Sequence, residues 1–351
     1  MKVVRIAFLT YICIPNVLSA KMADTENITD QIEFFDRYLH QANPDRANRA
    51  TLWQTAVGLQ DVDRLVVSWH LLETARRHIE GSLTLDDCQA NIAGYWQEHP
   101  FDEPQQAHRR EADLVAVNIV RALSDAPFSL SPDGLIDIHR RLFSGVFDFA
   151  GQVRDHDIAK KEWVLGKDTV QYGRYQNIQA DLNTFFTTEK TVDYQRFDTD
   201  EMISHLAEFL CNVWRTHTFC EGNTRTVSVF AILYLRSKGF QLNLHPFAVG
   251  AWYLRNAFVR ASYSSDRQDI ERQPLYLERF LRNVLLGDMW DLRSHYLHIT
   301  PHPQYRSQPN LKPHHISDVL HSSSSHRSSS TSRTSSSRSS NWLTRLLKYF
   351  R

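Results

Sequence analysis

The chain has 351 residues, 42% of them hydrophobic, which supports a substantial core and excludes wholesale disorder. Forty basic residues balance forty acidic ones, so charge gives no reason to expect DNA or RNA as a partner. Cys13, Cys88, Cys211 and Cys220 are scattered without a CxxC pair, which speaks against a disulfide scaffold or a zinc ribbon.

Lys2 and Arg5 precede an apolar run from Ile6 to Val17 that ends in Leu-Ser-Ala20, the pattern of a short secretory signal. An upstream extension, with Met22 as the natural start, explains residues 1–21 equally well. No other stretch is apolar over 18 residues, so no transmembrane helix is expected. From about residue 25 to 125, polar and apolar residues recur at helical spacing, punctuated by Pro100, Pro104, Pro127 and Pro132. Residues 22–105 are therefore expected to form a helical region ahead of a domain over 106–300, whose aromatic-rich part from 130 onward forms the main core.

Within that domain, Glu162-Trp-Val-Leu165 and Thr169-Val-Gln-Tyr172 flank Gly166-Lys-Asp168, which reads as two short strands around a tight turn. Asp198 and Glu201 have capping-box spacing and mark a helix start. Ile203, Leu206, Ala207, Leu210, Val213 and Trp214 continue that helix at three- and four-residue steps. A polar loop, His217 to Gly222, follows. A second helix runs through Val227, Phe230, Ala231 and Tyr234, with Gly239 as its C′ residue.

The loop thus feeds a helix N-terminus, where unpaired backbone N–H groups and the positive dipole end suit a phosphate. Gly222 lacks the Cβ that would hold a phosphate away from the backbone. Asn223 can donate to a phosphate oxygen, and Arg225 can bind phosphate bidentately. Glu221 can hold Mg²⁺, which commonly takes one or two carboxylates plus substrate phosphates. His217 can accept a proton from an attacking hydroxyl, and Phe219 can anchor the loop in the core. Singly, such a histidine or arginine is more often a surface or core residue; the ordered set is what carries the signal.

His295, His298 and His302 also cluster, but no carboxylate accompanies them at HExxH spacing. Beyond about residue 303 the composition changes. Residues 322–340 hold 13 serines in 19 positions, so 301–340 is expected to be a disordered linker. In 341–351, Trp342, Leu343, Leu346, Leu347 and Phe350 form one helical stripe with Arg345, Lys348 and Arg351 off it. This basic amphipathic helix suits a membrane surface or a partner's groove, or else docks on its own domain.

His217-Thr-Phe-Cys-Glu221-Gly222-Asn223-Thr-Arg225 resembles the Fic motif, H-x-F-x-[D/E]-G-N-x-R. The likeness extends to Ile138-His-Arg-Arg-Leu-Phe143 and Gly151-Gln-Val-Arg154, and covers roughly residues 110–290. It implies a mainly α Fic-type helical bundle with a short β-hairpin flap over the active site. The implied activity is transfer of AMP from ATP, with Mg²⁺, to a Ser, Thr or Tyr hydroxyl of a target protein, the chain itself being one candidate. In that reading His217 is the base, Glu221 holds the metal, Gly222 and Asn223 cradle the α-phosphate, and Arg225 grips the distal phosphates. Adenosine would lie near Tyr253 and Asn256, and Lys161, Glu162, Trp163 and Val164 of the flap would align the target. The cell compartment stays open between a bacterial cytoplasm and export as an effector.

Two departures from the family pattern stand out. Many Fic proteins carry a second arginine three residues after the first, where this chain has Ser228, which is expected to weaken the grip on the γ-phosphate. Gly81-Ser-Leu-Thr-Leu-Asp86-Asp87 resembles part of the small antitoxins that pair with Fic toxins. Anchored there, the inhibitory glutamate falls at Asp63 and the following glycine at Arg64; the other candidate is Glu80 beside Gly81. With no second arginine to pair with, the usual Glu–Arg lock is expected to be absent. Two rival readings remain: the same fold using another phosphate-containing donor such as UTP, and a non-enzymatic, antitoxin-like helical protein with a vestigial loop.

Overall fold

The computed structural model describes residues 27–100, 104–125 and 127–300. The signal-like start, the Ser-rich linker and the amphipathic end lie outside the described residues. The described chain is mainly helical: α1 Ile28–Glu33, α2 Asp36–Leu39, α3 Pro44–Gly58, α4 Trp69–Ile79, α5 Leu85–Glu98, α6 Pro104–Asp125 and α7 Pro132–Phe143. Then follow α8 Ile178–Lys190, α9 Thr199–Thr216, α10 Asn223–Ser237, α11 His245–Val249, α12 Ala251–Ser262 and α13 Leu275–Leu285. A 3₁₀ turn, Leu59–Asp63, extends α3.

The termini of these helices are chemically marked. Asp198 caps α9 with a reciprocal bond from Glu201, the capping box its spacing predicts, and Thr84 and Asp87 do the same for α5. Gly239, with φ +85°, follows the end of α10 as expected of a C′ residue.

Helix α10 lies at the centre. Every residue from Asn223 to Leu235 is buried, as befits a helix enclosed on all sides by α6, α7, α9 and the 3₁₀ turn. The N-terminal helices share this core rather than forming a body apart. Trp53, Val57 and Leu59 are fully buried within it. Gly58 lets α3 cross α11 so closely that a Cβ there would sit 2.2 Å from the Ala248 carbonyl oxygen. Buried Asp113 of α6 accepts from the Ser68 amide (2.8 Å), the Ser68 hydroxyl (2.6 Å) and Trp96 Nε1 (2.9 Å), which ties α4, α5 and α6 together.

The flap differs from the two strands expected. Among the described residues it contains one antiparallel bridge, Lys161 with Thr169, and a 3₁₀ turn at Trp163–Leu165. The reason is packing. Val164 and Leu165 are both buried, whereas consecutive residues of a hairpin with one face in solvent would alternate between buried and exposed. The turn closes through the Glu162 carbonyl, which accepts from the amides of Leu165 and Lys167.

Candidate active site

Helix α9 ends because His217 adopts the left-handed region, φ +47° and ψ +58°, with its amide donating to the Trp214 carbonyl. Such a conformation is uncommon for a residue with a Cβ, and three devices hold it. The first is Arg154, whose side chain is fully enclosed. Its guanidinium donates to the carbonyls of His217 (2.7 Å), Thr216 (3.1 Å), His156 (2.6 Å) and Gly173, while its own amide donates to Thr218. One cation thereby joins the loop to the far end of the flap.

The second device is His139 of α7. Its Nδ1 accepts from the Gly151 amide (2.8 Å), which places the proton on Nε2, where it donates to the Glu221 carbonyl (3.1 Å). Its ring stacks on Phe219 with centroids 3.7 Å apart, and burial holds its pKa down at about 4. The third device is Asn223. Its side-chain amide closes the loop on both sides of Phe219, accepting from that residue's N–H (3.0 Å) and donating to its carbonyl (2.7 Å). The side chain expected to reach a phosphate is thus engaged with backbone, which leaves the backbone N–H groups of the first α10 turn for an anion.

Gly222 is required twice over at this corner. Its φ is +76°, and a Cβ would lie 2.3 Å from the Phe143 ring. Together the loop and helix end form a narrow cavity lined by Asp63, Lys160, Glu162, Trp214, His217, Glu221, Gly222, Asn223, Thr224 and Arg255. Its volume of about 10 Å³ is roughly that of one water, so a larger ligand has to displace side chains.

His217 sits in this cavity with both ring nitrogens buried and without hydrogen-bond partners. Burial, reinforced by the charges of Lys160, Arg154 and Arg255, pushes its pKa well below the usual histidine value. The imidazole is therefore neutral near pH 7 and keeps a lone pair to accept a proton. The Tyr172 ring covers it, with centroids 3.9 Å apart, and Tyr172 Oη donates to buried Glu162 (3.1 Å). Glu162 in turn pairs with Arg255 at 3.0 Å. Glu221 projects half-exposed from the loop and pairs with Lys160 at 2.8 Å.

Arg225 lies elsewhere than expected. It is 1% exposed, does not line the cavity, and pairs with Asp63 (3.0 Å) and Glu111 (2.6 Å), with Gln60 Oε1 at 3.2 Å and the Phe143 ring beneath. Position 228 offers no cation for an inhibitory acid, and Asp63 pairs instead with Arg225, the first arginine of the motif. Arg64, at the position where the antitoxin pattern has glycine, indeed takes φ +57°. Glu80 is remote from the cavity, held by Arg76 (2.5 Å) and Tyr38 (2.8 Å). Ser228 is buried, and its hydroxyl bonds back to the Thr224 carbonyl.

Of the remaining predicted residues, Lys161 forms the flap bridge, and Val164 is buried, its carbonyl accepting from the Ile299 amide. Trp163 is 42% exposed and packs near Trp252, His295 and His298. Tyr253 points into the core and bonds the Tyr276 carbonyl, while Asn256 is fully buried and donates to Trp252. Neither lines the cavity. Arg154, His139, Tyr172, Lys160, Glu111 and Arg255 were missed from sequence as site residues. Arg154 and His139 stand in segments already singled out, whereas Arg255 carries no spacing signal that links it to a loop more than thirty residues earlier.

Residues 129–235 match the Fic/DOC family. A Sinorhizobium fredii protein named "Probable protein adenylyltransferase y4lH" is 31% identical over 120 residues, 32% of this chain and 59% of that protein, so the chain spans about three fifths of this relative. Among solved structures, the N-terminal Fic domain of a VirB-translocated Bep effector protein from Bartonella quintana is similar with a TM-score of 0.41 and 19% identity, over 53% of this chain and 86% of that one. A Fic family protein from Desulfovibrio desulfuricans is similar with a TM-score of 0.46 and 15% identity, over 74% of this chain and 72% of that one.

Proposed function

Because residues 129–235 of the chain are a Fic/DOC domain, we propose that it is a protein adenylyltransferase, moving AMP from ATP to a hydroxyl side chain of a protein target. The observation that carries this is His217: a buried, neutral imidazole with two free nitrogens, set against the open N-terminus of α10. Once Tyr172 moves off its face, His217 takes the proton of the target hydroxyl as that oxygen attacks the α-phosphorus. The bond to the bridging oxygen breaks, and pyrophosphate leaves. The first amides of α10 stabilise the charge that grows on the phosphoryl oxygens.

Glu221, the carboxylate of the loop, would hold Mg²⁺. It stands half-exposed at the cavity, paired with Lys160, and an ion taking it would draw its other ligands from water and phosphate. When bound, Mg²⁺ supplies charge neutralisation for the departing pyrophosphate. Incubation with ATP labelled at the α-phosphate, and with UTP labelled likewise, tests the reading. Labelled protein is expected from ATP and is expected to fall at least about a hundredfold in His217→Ala. Equal labelling by wild type and variant overturns the proposal, and labelling from UTP alone replaces the donor.

A further inference from the structure

The cavity has a phosphate-binding end but lacks the cations the motif promises. Ser228 supplies none, and Arg225 is turned away between Asp63 and Glu111. Two other cations line the cavity in their stead, Arg255 from α12 and Lys160 from the segment leading into the flap. Both line the same cavity as Gly222, Asn223 and Thr224 at the start of α10, and both are held by a carboxylate at the site itself, Arg255 by Glu162 and Lys160 by Glu221. Glu162 is also the acceptor of Tyr172, whose ring covers His217.

We propose that Arg255 is the distal-phosphate ligand of this chain, replacing the arginine missing at position 228, and that phosphate gains it by displacing Glu162. This rests on the nucleotide-transfer reading and names the recognition that serves it. A planar guanidinium can grip a β- or γ-phosphate in two parallel bonds; here a single nitrogen, Arg255 Nη2, donates to both oxygens of Glu162 at 3.0 and 3.2 Å. Exchanging one anion for another at Arg255 leaves no buried cation unpaired. It loosens Glu162, which can then release Tyr172 from the face of His217. Distal phosphate binding and uncovering of the base thereby become one event. Lys160 is released in parallel when a cation takes Glu221, and it is the second positive charge for the triphosphate.

Titration of the full chain with Mg·ATP, inorganic tripolyphosphate and AMP tests this. Arg255→Gln is expected to raise Kd for ATP and tripolyphosphate about tenfold or more, the worth of a charge-assisted pair, and to change Kd for AMP less than about threefold. Arg255→Lys, which keeps the charge, recovers part of the loss. Glu162→Gln removes the competitor, so it is expected to tighten ATP and tripolyphosphate binding. A purely structural ion pair would make Arg255→Gln and Glu162→Gln err in the same direction. Weakened binding in both variants overturns the proposal, as does equal loss for AMP and ATP, or a wild type that binds neither ATP nor tripolyphosphate. His217-dependent labelling with unchanged ATP affinity in Arg255→Gln sinks this inference alone. The expected tripolyphosphate pattern without any labelling sinks the adenylyltransferase reading alone.

Discussion

Arg225 shows how one residue's surroundings set its role. Its guanidinium is enclosed and faces two carboxylates, both of them partly solvated, so the cluster carries excess negative charge. Removing Asp63 leaves Arg225 paired through Glu111, and frees one side of it towards the cavity that Asp63 itself lines. Asp63→Ala is accordingly expected to raise self-labelling from ATP severalfold, whereas Glu80→Gly, remote from the site, leaves labelling unchanged. A rise in Glu80→Gly would show control exerted through another route. Truncating Arg225 to Ala removes the cation shared by two partly solvated carboxylates and is expected to cost about 1–3 kcal/mol in chemical denaturation. Asp63 was legible from sequence through the Gly81–Asp87 segment downstream, but its partner was not. Spacing gives the face of a helix on which Arg225 lies, while the direction of its long side chain is decided by which acid from α6 and the 3₁₀ turn arrives there.

Helices were the most readable elements, because capping boxes and apolar spacing are local. The chain order of α9, loop and α10 follows directly from Asp198, Glu201, the Ile203–Trp214 stripe and Gly239. The flap was less readable. Its alternation resembles a strand, but Val164 and Leu165 bury together because α12 and the segment around Ile299 lie beneath them. At the loop, Gly222 is the point of least tolerance. Gly222→Ala adds a Cβ to a left-handed backbone against the Phe143 ring and is expected to cost roughly 2–4 kcal/mol, read as a lowered urea midpoint with loss of labelling. Arg154 binds four carbonyls at once. No conserved spacing rule announces such a residue, since its acceptors are backbone atoms that any sequence supplies.

Buried titratable groups set how the molecule as a whole responds to acid. Burial lowers His78 and His139 to about 4 from 6.5, so the unfolded chain binds more protons between those values. Their contribution is complete above pH 6.5 and is lost as pH falls towards 4, by up to roughly 3 kcal/mol each. Asp113 runs the other way. Its pKa is raised to about 6, chiefly by burial, so its penalty eases as pH falls from 6 to 4 and offsets about one of the two histidines. Stability is therefore expected to decline on balance between pH 6.5 and 4.5 in urea titrations. His78→Gln, which keeps an acceptor for Trp53 Nε1, is expected to flatten that decline, and an unchanged slope would refute the assignment. The same shared core has a kinetic consequence. Asp63 belongs to the folded body that carries Arg225, so the pair between them forms at any protein concentration. The ratio of labelling in Asp63→Ala to that in wild type should therefore be the same at nanomolar and micromolar protein.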